Sequence, residues 1–175
     1  MKIVVLNGSP RKNGNTAIMV QTFAEAAGKQ HQVCILDVGG MHMGGCMGCE
    51  YCHTKGGGRC VQQDDMTKVY EELQDADMVV FASPIYWFDI TAQLKTTIDR
   101  LYACGGNGFY FHKSALFLNA AADHVFDAAI AQYKGMTAYL KWEDMGIITV
   151  PHMLEKDSMA QAPALGEVKK LAEAL

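Results

Sequence analysis

The sequence predicts a three-layer α/β domain: a doubly wound, five-stranded parallel sheet of order 2-1-3-4-5 with helices on both faces. Three observations carry that expectation. Five short apolar, β-branched runs alternate along the chain with stretches of helical periodicity, which is the pattern of repeated βαβ units. Each run is nearly continuous in apolar residues, so its strand is buried on both faces, as in a parallel sheet covered by crossover helices. The length of 175 residues suits one domain spanning 1–175, large enough to bury a core without covalent staples.

Taken in order, KIVVLN (2–7) reads as the first strand, and TAIMVQTFAEAAG as a helix closing on Gly28 as C-cap. QVCILDV (32–38) is the second strand; Cys34 alternates with Val33 and Ile35 inside it and is expected in the core. The stretch 39–64 has no periodicity, and a loop of that length is usually functional. DMTKVYEELQDA follows as a helix with Asp65 as N-cap, then DMVVFASPI (77–85) as the third strand. Helices at 91–103, 126–142 and 165–175 alternate with the strands ALFLNA (115–120) and GIITV (146–150). In such a sheet the ligand crevice lies at the carboxyl ends of strands 1, 3 and 4.

Composition narrows the function. Fifteen basic residues against nineteen acidic ones leave no basic field to gather nucleic acid or an anionic membrane. The apolar run in MKIVVLNGSP is too short for a signal peptide or a membrane span, so a soluble, cytoplasmic location is expected. In that reducing compartment, clustered cysteines more often mean metal or redox chemistry than cross-links.

Three segments carry the chemistry. Strand 1 runs into NGSPRKNGNTA (7–17) and then a helix, the arrangement that offers backbone N–H groups and a helix dipole to a phosphate. Gly8 and Gly14 bracket five residues and Asn15 stands where a Walker lysine would be, so this is neither a P-loop nor G-x-G-x-x-G. Ser9, Asn13, Asn15 and Thr16, with Arg11 and Lys12 beside them, suit a single terminal phosphomonoester; the alternative is a solvated turn in which Asn15 or Thr16 only caps the helix. After strand 3, Pro84 is expected to fix a bend, and Ile85, Tyr86, Trp87 and Phe88 supply an apolar and aromatic wall. Three successive aromatics do not all face one core, so at least one should stand out as a stacking surface, or else serve as a plug or an oligomer contact.

The third segment, GCMGCEYCHTKGGGRC (45–60), holds Cys46, Cys49, Cys52 and Cys60 as C-x2-C-x2-C-x7-C. Three sulfurs at i, i+3 and i+6 with a fourth returning suit a cuboidal cluster better than zinc, whose ribbons pair two separate knuckles. A 4Fe-4S cluster, zinc and metal-free thiols all remain open. Cys104 reads as a helix-end thiol, Met41, Met43 and Met47 as residues able to line a ligand mouth, and His53 as exposed.

NGSPRKNGNT, SPIYWFD and the compact cysteine loop after strand 2 resemble the flavodoxin-like NAD(P)H-dependent FMN reductase superfamily, over about the first 120 residues, and within it the iron-sulfur flavoprotein branch. The resemblance implies FMN as cofactor, with Ser9, Arg11, Asn13, Asn15 and Thr16 around its phosphate. Pro84, Ile85, Tyr86, Trp87 and Phe88 would wrap the isoalloxazine, and Ala121, in the Asn119–Asp123 exit of strand 4, would make a third contact. Asp123 and His124 are expected in a solvated loop. NAD(P)H would be the electron donor and a quinone-like, nitroaromatic or protein molecule the acceptor, with no catalytic acid or base required. The alternative is an electron-transfer module without its own small-molecule substrate. The four cysteines would be the ligands of a 4Fe-4S cluster. Relatives of this kind imply a homodimer or homotetramer, with 85–88 and 104–112 as contact surfaces.

Overall fold

A computed structural model describes residues 1–106 and 108–175. Asn107, within the 104–112 segment expected to contact other subunits, lies outside the described residues. In chain order the elements are β1 (Lys2–Asn7), α1 (Asn15–Ala27), β2 (Gln32–Leu36), α2 (Tyr51–Thr54), α3 (Met66–Leu73), β3 (Met78–Tyr86), β4 (Asp89–Ile90), α4 (Ala92–Arg100), α5 (Tyr102–Gly105), β5 (Lys113–Asn119), α6 (Asp127–Leu140), β6 (Glu143–Val150) and α7 (Ala164–Glu173).

The parallel strands lie in the order β2-β1-β3-β5-β6, which is the expected 2-1-3-4-5 once the short antiparallel β4, paired only to β3, is set aside. Period-two alternation divides the core. Val4 and Leu6 face Val69, Phe81, Leu94, Leu116 and Tyr133, so α3, α4 and α6 cover that side. Ile3 and Val5 face Met19, Phe23, Val80, Phe117 and Val168, so α1 and α7 cover the other. Both faces of every central strand are thereby apolar, which is why the runs read as continuous in the sequence.

Several boundaries differ from expectation, each for a local reason. β2 stops at Leu36 and not at 38 because the chain enters a 3₁₀ turn at Val38–Gly40. That turn presses on the loop after β1: a Cβ at Gly39 would stand 2.2 Å from the Ser9 carbonyl oxygen. Cys34 is only half-buried, since β2 is the sheet edge. β6 begins at Glu143, earlier than expected, and its ladder to β5 shifts register between Ser114 and Leu116. The helix expected over 91–103 is broken at Leu101 into α4 and α5. Asp65 does not cap α3 through its side chain; Asp64 Oδ1 accepts the Met66 N–H at 3.1 Å instead. Pro84 does not end its strand: β3 continues to Tyr86, and Pro84 lies beyond Ala82, the last residue paired with β1. Among the described residues, no helix is long and apolar enough to cross a membrane.

Candidate functional site

The exits of β1, β3 and β5 meet at one edge of the sheet. The loop after β1 is held by its own backbone and its neighbours, not by a side-chain helix cap. Asn7 Oδ1 accepts the Ser9 N–H at 3.1 Å while Asn7 Nδ2 donates to Asp37 at 2.8 Å, and Ser9 Oγ accepts the Arg11 N–H at 3.2 Å. The N-cap of α1 is Gly14, with no side-chain bond and no acidic residue in the first turn. Neither Asn15 nor Thr16 acts as the cap, so the first N–H groups of α1 keep their donor capacity and the positive end of the helix dipole. Ser9 and Thr16 are buried, at 6 % and 1 % exposure, whereas Arg11 and Asn13 lie exposed beside them. This surface suits a phosphomonoester: uncapped donors, two buried hydroxyls and a cation at the rim.

Asn15 differs from the other loop residues. Its Nδ2 donates to the Met153 and Glu155 carbonyls at 3.1 and 2.9 Å, and its Oδ1 accepts the Met159 N–H at 3.1 Å. The side chain therefore pins the segment after β6 onto the start of α1, and only its backbone N–H is left for an anion.

The β3 wall is tied directly to this loop. Gly8 N–H donates to the Ala82 carbonyl at 2.8 Å, and Thr91 Oγ1 donates to the Gly8 carbonyl at 2.7 Å while capping α4 at the Leu94 N–H. A Cβ at Gly8 would stand 2.6 Å from Leu94 Cβ, so only glycine permits this approach. Beyond Pro84 and the half-buried Ile85, β3 and β4 form a hairpin that pairs Ile85 with Ile90 and Tyr86 with Asp89. Its two-residue turn is Trp87–Phe88, with φ of 49° and 71°, the left-handed pair a type I′ turn requires. Asn-Gly usually occupies such a turn; here Trp87 is 92 % exposed, with Phe88 and Tyr86 at 57 % and 44 %. All three rings of the expected stacking surface stand out.

The third exit is secured from below. Asn119 Nδ2 donates to Thr16 Oγ1 at 2.7 Å, with both residues buried, so β5 and α1 are fixed to each other at the crevice floor. Ala121 follows on the exposed rim. His124 is exposed, and Asp123 reaches the His152 Nε2 at 3.2 Å, joining the β5 exit to the β6 exit.

Against the C-terminal end of α4, residues 44–64 form a closed loop. Arg100 Nη1 donates to the Gly44 carbonyl at 2.7 Å and to Asp64 Oδ2 at 2.8 Å, Nη2 donates to Asp64 Oδ1 at 3.2 Å, and the Gly44 N–H returns to Asp64 Oδ2 at 3.0 Å. Burial opposes the Asp64 charge, but hydrogen bonds from Arg100, Gly44 and Met66 outweigh it and hold the carboxyl below its ordinary range. Higher up, Tyr102 Oη donates to Glu50, and His53 lies exposed yet packed edge-on against the Tyr102 ring. Cys46, Cys49, Cys52 and Cys60 all border one cavity of about 20 Å³, together with Met47, Arg100 and Tyr102. Met41 and Met43 pack against the core instead. Cys104, in α5, has its thiol pushed up to about 11 by burial. Among the described residues, no three His, Cys, Asp or Glu side chains converge closely enough to hold a single metal ion.

Arg100, Asp64 and Thr91 were not among the expected site residues, whereas Asn119 lies in the expected strand 4 exit. Arg100 and Asp64 look like surface charges in the sequence, and only their contact across 36 positions gives them a role.

These features define a doubly wound fold with an anion loop and an aromatic wall at one edge and a thiol loop packed against the end of α4 and α5. A family model for NADPH-dependent FMN reductase matches residues 1–154, and the chain belongs to that family. It is 30 % identical over 190 residues to an iron-sulfur flavoprotein of Archaeoglobus fulgidus, covering 99 % of this chain and 80 % of that protein. Other curated relatives match over a shorter span; of one iron-sulfur flavoprotein the chain covers 48 % of the length. Two solved structures share the fold: an NAD(P)H:quinone oxidoreductase from Methanothermobacter marburgensis (16 % identity, TM-score 0.77, 99 % of this chain and 94 % of that one) and an FMN-dependent NADH-azoreductase from Bacillus anthracis in complex with FMN (14 %, TM-score 0.72, 99 % of each chain). The chain is an oxidoreductase of the flavodoxin-like fold.

Proposed function

We propose that this chain binds one FMN in the crevice at the ends of β1, β3 and β5 and passes electrons from NAD(P)H to a small acceptor of the quinone or nitroaromatic kind. The observation that carries the reading is the uncapped start of α1 behind a loop with two buried hydroxyls. When bound, the flavin supplies the redox chemistry, accepting a hydride and releasing electrons. The protein's own residues bind and orient. Ser9, Thr16 and the first N–H groups of α1 hold the phosphate, with Arg11 and Asn13 closing over it and Asn15 contributing its backbone. The Gly8–Thr91 bond keeps that loop in register with the segment Pro84–Phe88, which presents Ile85 and the aromatic rings to the isoalloxazine. Ala121 lines the third side. No side chain would need to move a proton for that chemistry, and the aromatic tip Tyr86–Phe88 stands exposed where nicotinamide and acceptor would approach.

We further infer that Cys46, Cys49, Cys52 and Cys60 hold a 4Fe-4S cluster. The donor set fits in kind, since four thiols border one cavity, although among the described residues no three of them converge on one point. The present cavity, of about 20 Å³, is about one water in size, so the cluster reading rests on the donor set alone. With a cluster the protein relays single electrons to a protein partner. Anaerobic purification with iron, sulfide and flavin assays tests both readings: about one FMN with a cluster supports the pair, FMN without iron leaves a reductase with a thiol-lined mouth, and neither overturns both. We also propose assembly as a dimer or tetramer through 85–88 and 104–112, as the family resemblance implies, which light scattering tests.

A further inference from the structure

A cavity of about 580 Å³ opens along α1, from Lys12 and Asn13 in the loop after β1 to Asp37 beyond the end of β2. β2 flanks β1 on the side opposite β3, so the Asp37 end lies across the phosphate loop from the aromatic wall. Its volume falls in the range of small-molecule sites, about 300–1,000 Å³. The half-buried Ala17, Ile18 and Ile35 supply an apolar floor, and exposed polar side chains surround it. Among these, Glu25, Asp37 and Asp157 set three carboxylates against the single cation Lys12. Asp37 is anchored through one oxygen: Oδ1 accepts the Asn7 amide at 2.8 Å, which leaves Oδ2 for a ligand.

We propose that this cavity takes the adenosine half of the nicotinamide cofactor, with Asp37 accepting from a ribose hydroxyl, and that its carboxylates make NADH the preferred donor over NADPH. This rests on the reading of NAD(P)H as donor. Adenine would lie on the apolar floor and the pyrophosphate would pass Lys12. Adjacent strands lie about 4.8 Å apart, so the end of β2 stands about 10 Å from the exit of β3, where the flavin ring is proposed; a dinucleotide spans that distance. In doubly wound dinucleotide folds an acidic side chain beyond the second strand recognises the ribose 2′-hydroxyl, and a 2′-phosphate there calls for an arginine. Among the described residues no arginine lines this cavity, so the 2′-phosphate of NADPH would meet carboxylates. The preference runs against the name of the family model, which is for NADPH.

The FMN-loaded full chain tests this as wild type, Asp37→Asn and Glu25→Lys. ADP-ribose, which lacks nicotinamide, and its 2′-phosphate are titrated calorimetrically, oxidation of NADH and NADPH is followed at steady state, and FMN affinity is measured beside them. Wild type should bind ADP-ribose at least about tenfold more tightly than its 2′-phosphate, with a similar ratio of kcat/KM for NADH over NADPH carried by KM. Each substitution should cut both ratios severalfold, with FMN affinity unchanged in Glu25→Lys. Added salt should narrow the wild-type ratios, because it screens the repulsion. If Asp37→Asn fails to fold, Glu25→Lys, on the exposed face of α1, carries the test. Equal use of the two cofactors, preference for NADPH, no binding of ADP-ribose, or ratios indifferent to the substitutions would overturn the proposal. FMN binding with oxidation of neither nucleotide overturns the donor reading and this inference with it. A chain that binds no FMN yet selects ADP-ribose over its 2′-phosphate refutes the crevice reading and supports this one.

Discussion

Thr16 joins the proposed phosphate site to the fold through a single side chain. Its hydroxyl oxygen accepts the Asn119 amide, and its hydroxyl hydrogen is left for a phosphate. Thr16→Ala should therefore both weaken FMN, by about 1–3 kcal/mol for a lost bond to a charged group, and strand a buried amide. Thr16→Ser should keep both functions, and fluorescence titration beside thermal unfolding separates the two losses. Gly8 carries a sharper steric constraint, because alanine there meets Leu94 and Thr91 within 3 Å. We expect Gly8→Ala to cost about 1–3 kcal/mol, read as a lower urea midpoint, and to loosen the β3 wall from the phosphate loop. The place of the loop at the exit of β1 was legible in the sequence, because a helix start needs one capping acceptor and not a run of polar side chains directly after a strand. The commitment of Asn15 to Met153, Glu155 and Met159 was not, since those partners lie about 140 positions away.

Among the elements, the β3–β4 hairpin holds two bulky residues where glycine or asparagine is cheapest. Left-handed backbone costs ~1–2 kcal/mol for each such residue. Replacing Trp87–Phe88 by Asn-Gly should stabilise the fold in thermal unfolding, yet change the bound-flavin spectrum or potential if these rings stack on the isoalloxazine. A stabilised variant with an unaltered flavin would move the stacking surface elsewhere. The aromatic run announced itself in the sequence; its hairpin did not, because turn signals are carried by Asn, Asp and Gly. The neck of the cysteine loop predicts a pH dependence. Asp64 is held below its ordinary range, so its contribution to stability is present above about pH 4 and is lost as pH falls through the lowered value. Asp64→Asn should cost stability at neutral pH and flatten the acid limb of the unfolding midpoint against pH.

Across the molecule, the sheet order was readable because five near-continuous apolar strands with intervening helices admit few right-handed arrangements. What escaped was tertiary. The break at Leu101 and the pairing of Arg100 with Asp64 depend on how α4 meets the thiol loop, and local periodicity carries no trace of that. The thiol loop and the crevice are built from different segments, so single serine substitutions at Cys46, Cys49, Cys52 or Cys60 should degrade a cluster while FMN remains, and Cys34 and Cys104 should be dispensable. Everything proposed for the crevice depends on the loop after β1 holding the FMN phosphate, and FMN titration of wild type against the Ser9→Ala, Thr16→Ala double variant decides that point. Wild type should bind one FMN per chain, and the variant should bind it at least about tenfold more weakly; a folded variant that binds FMN as tightly as wild type would place the phosphate elsewhere.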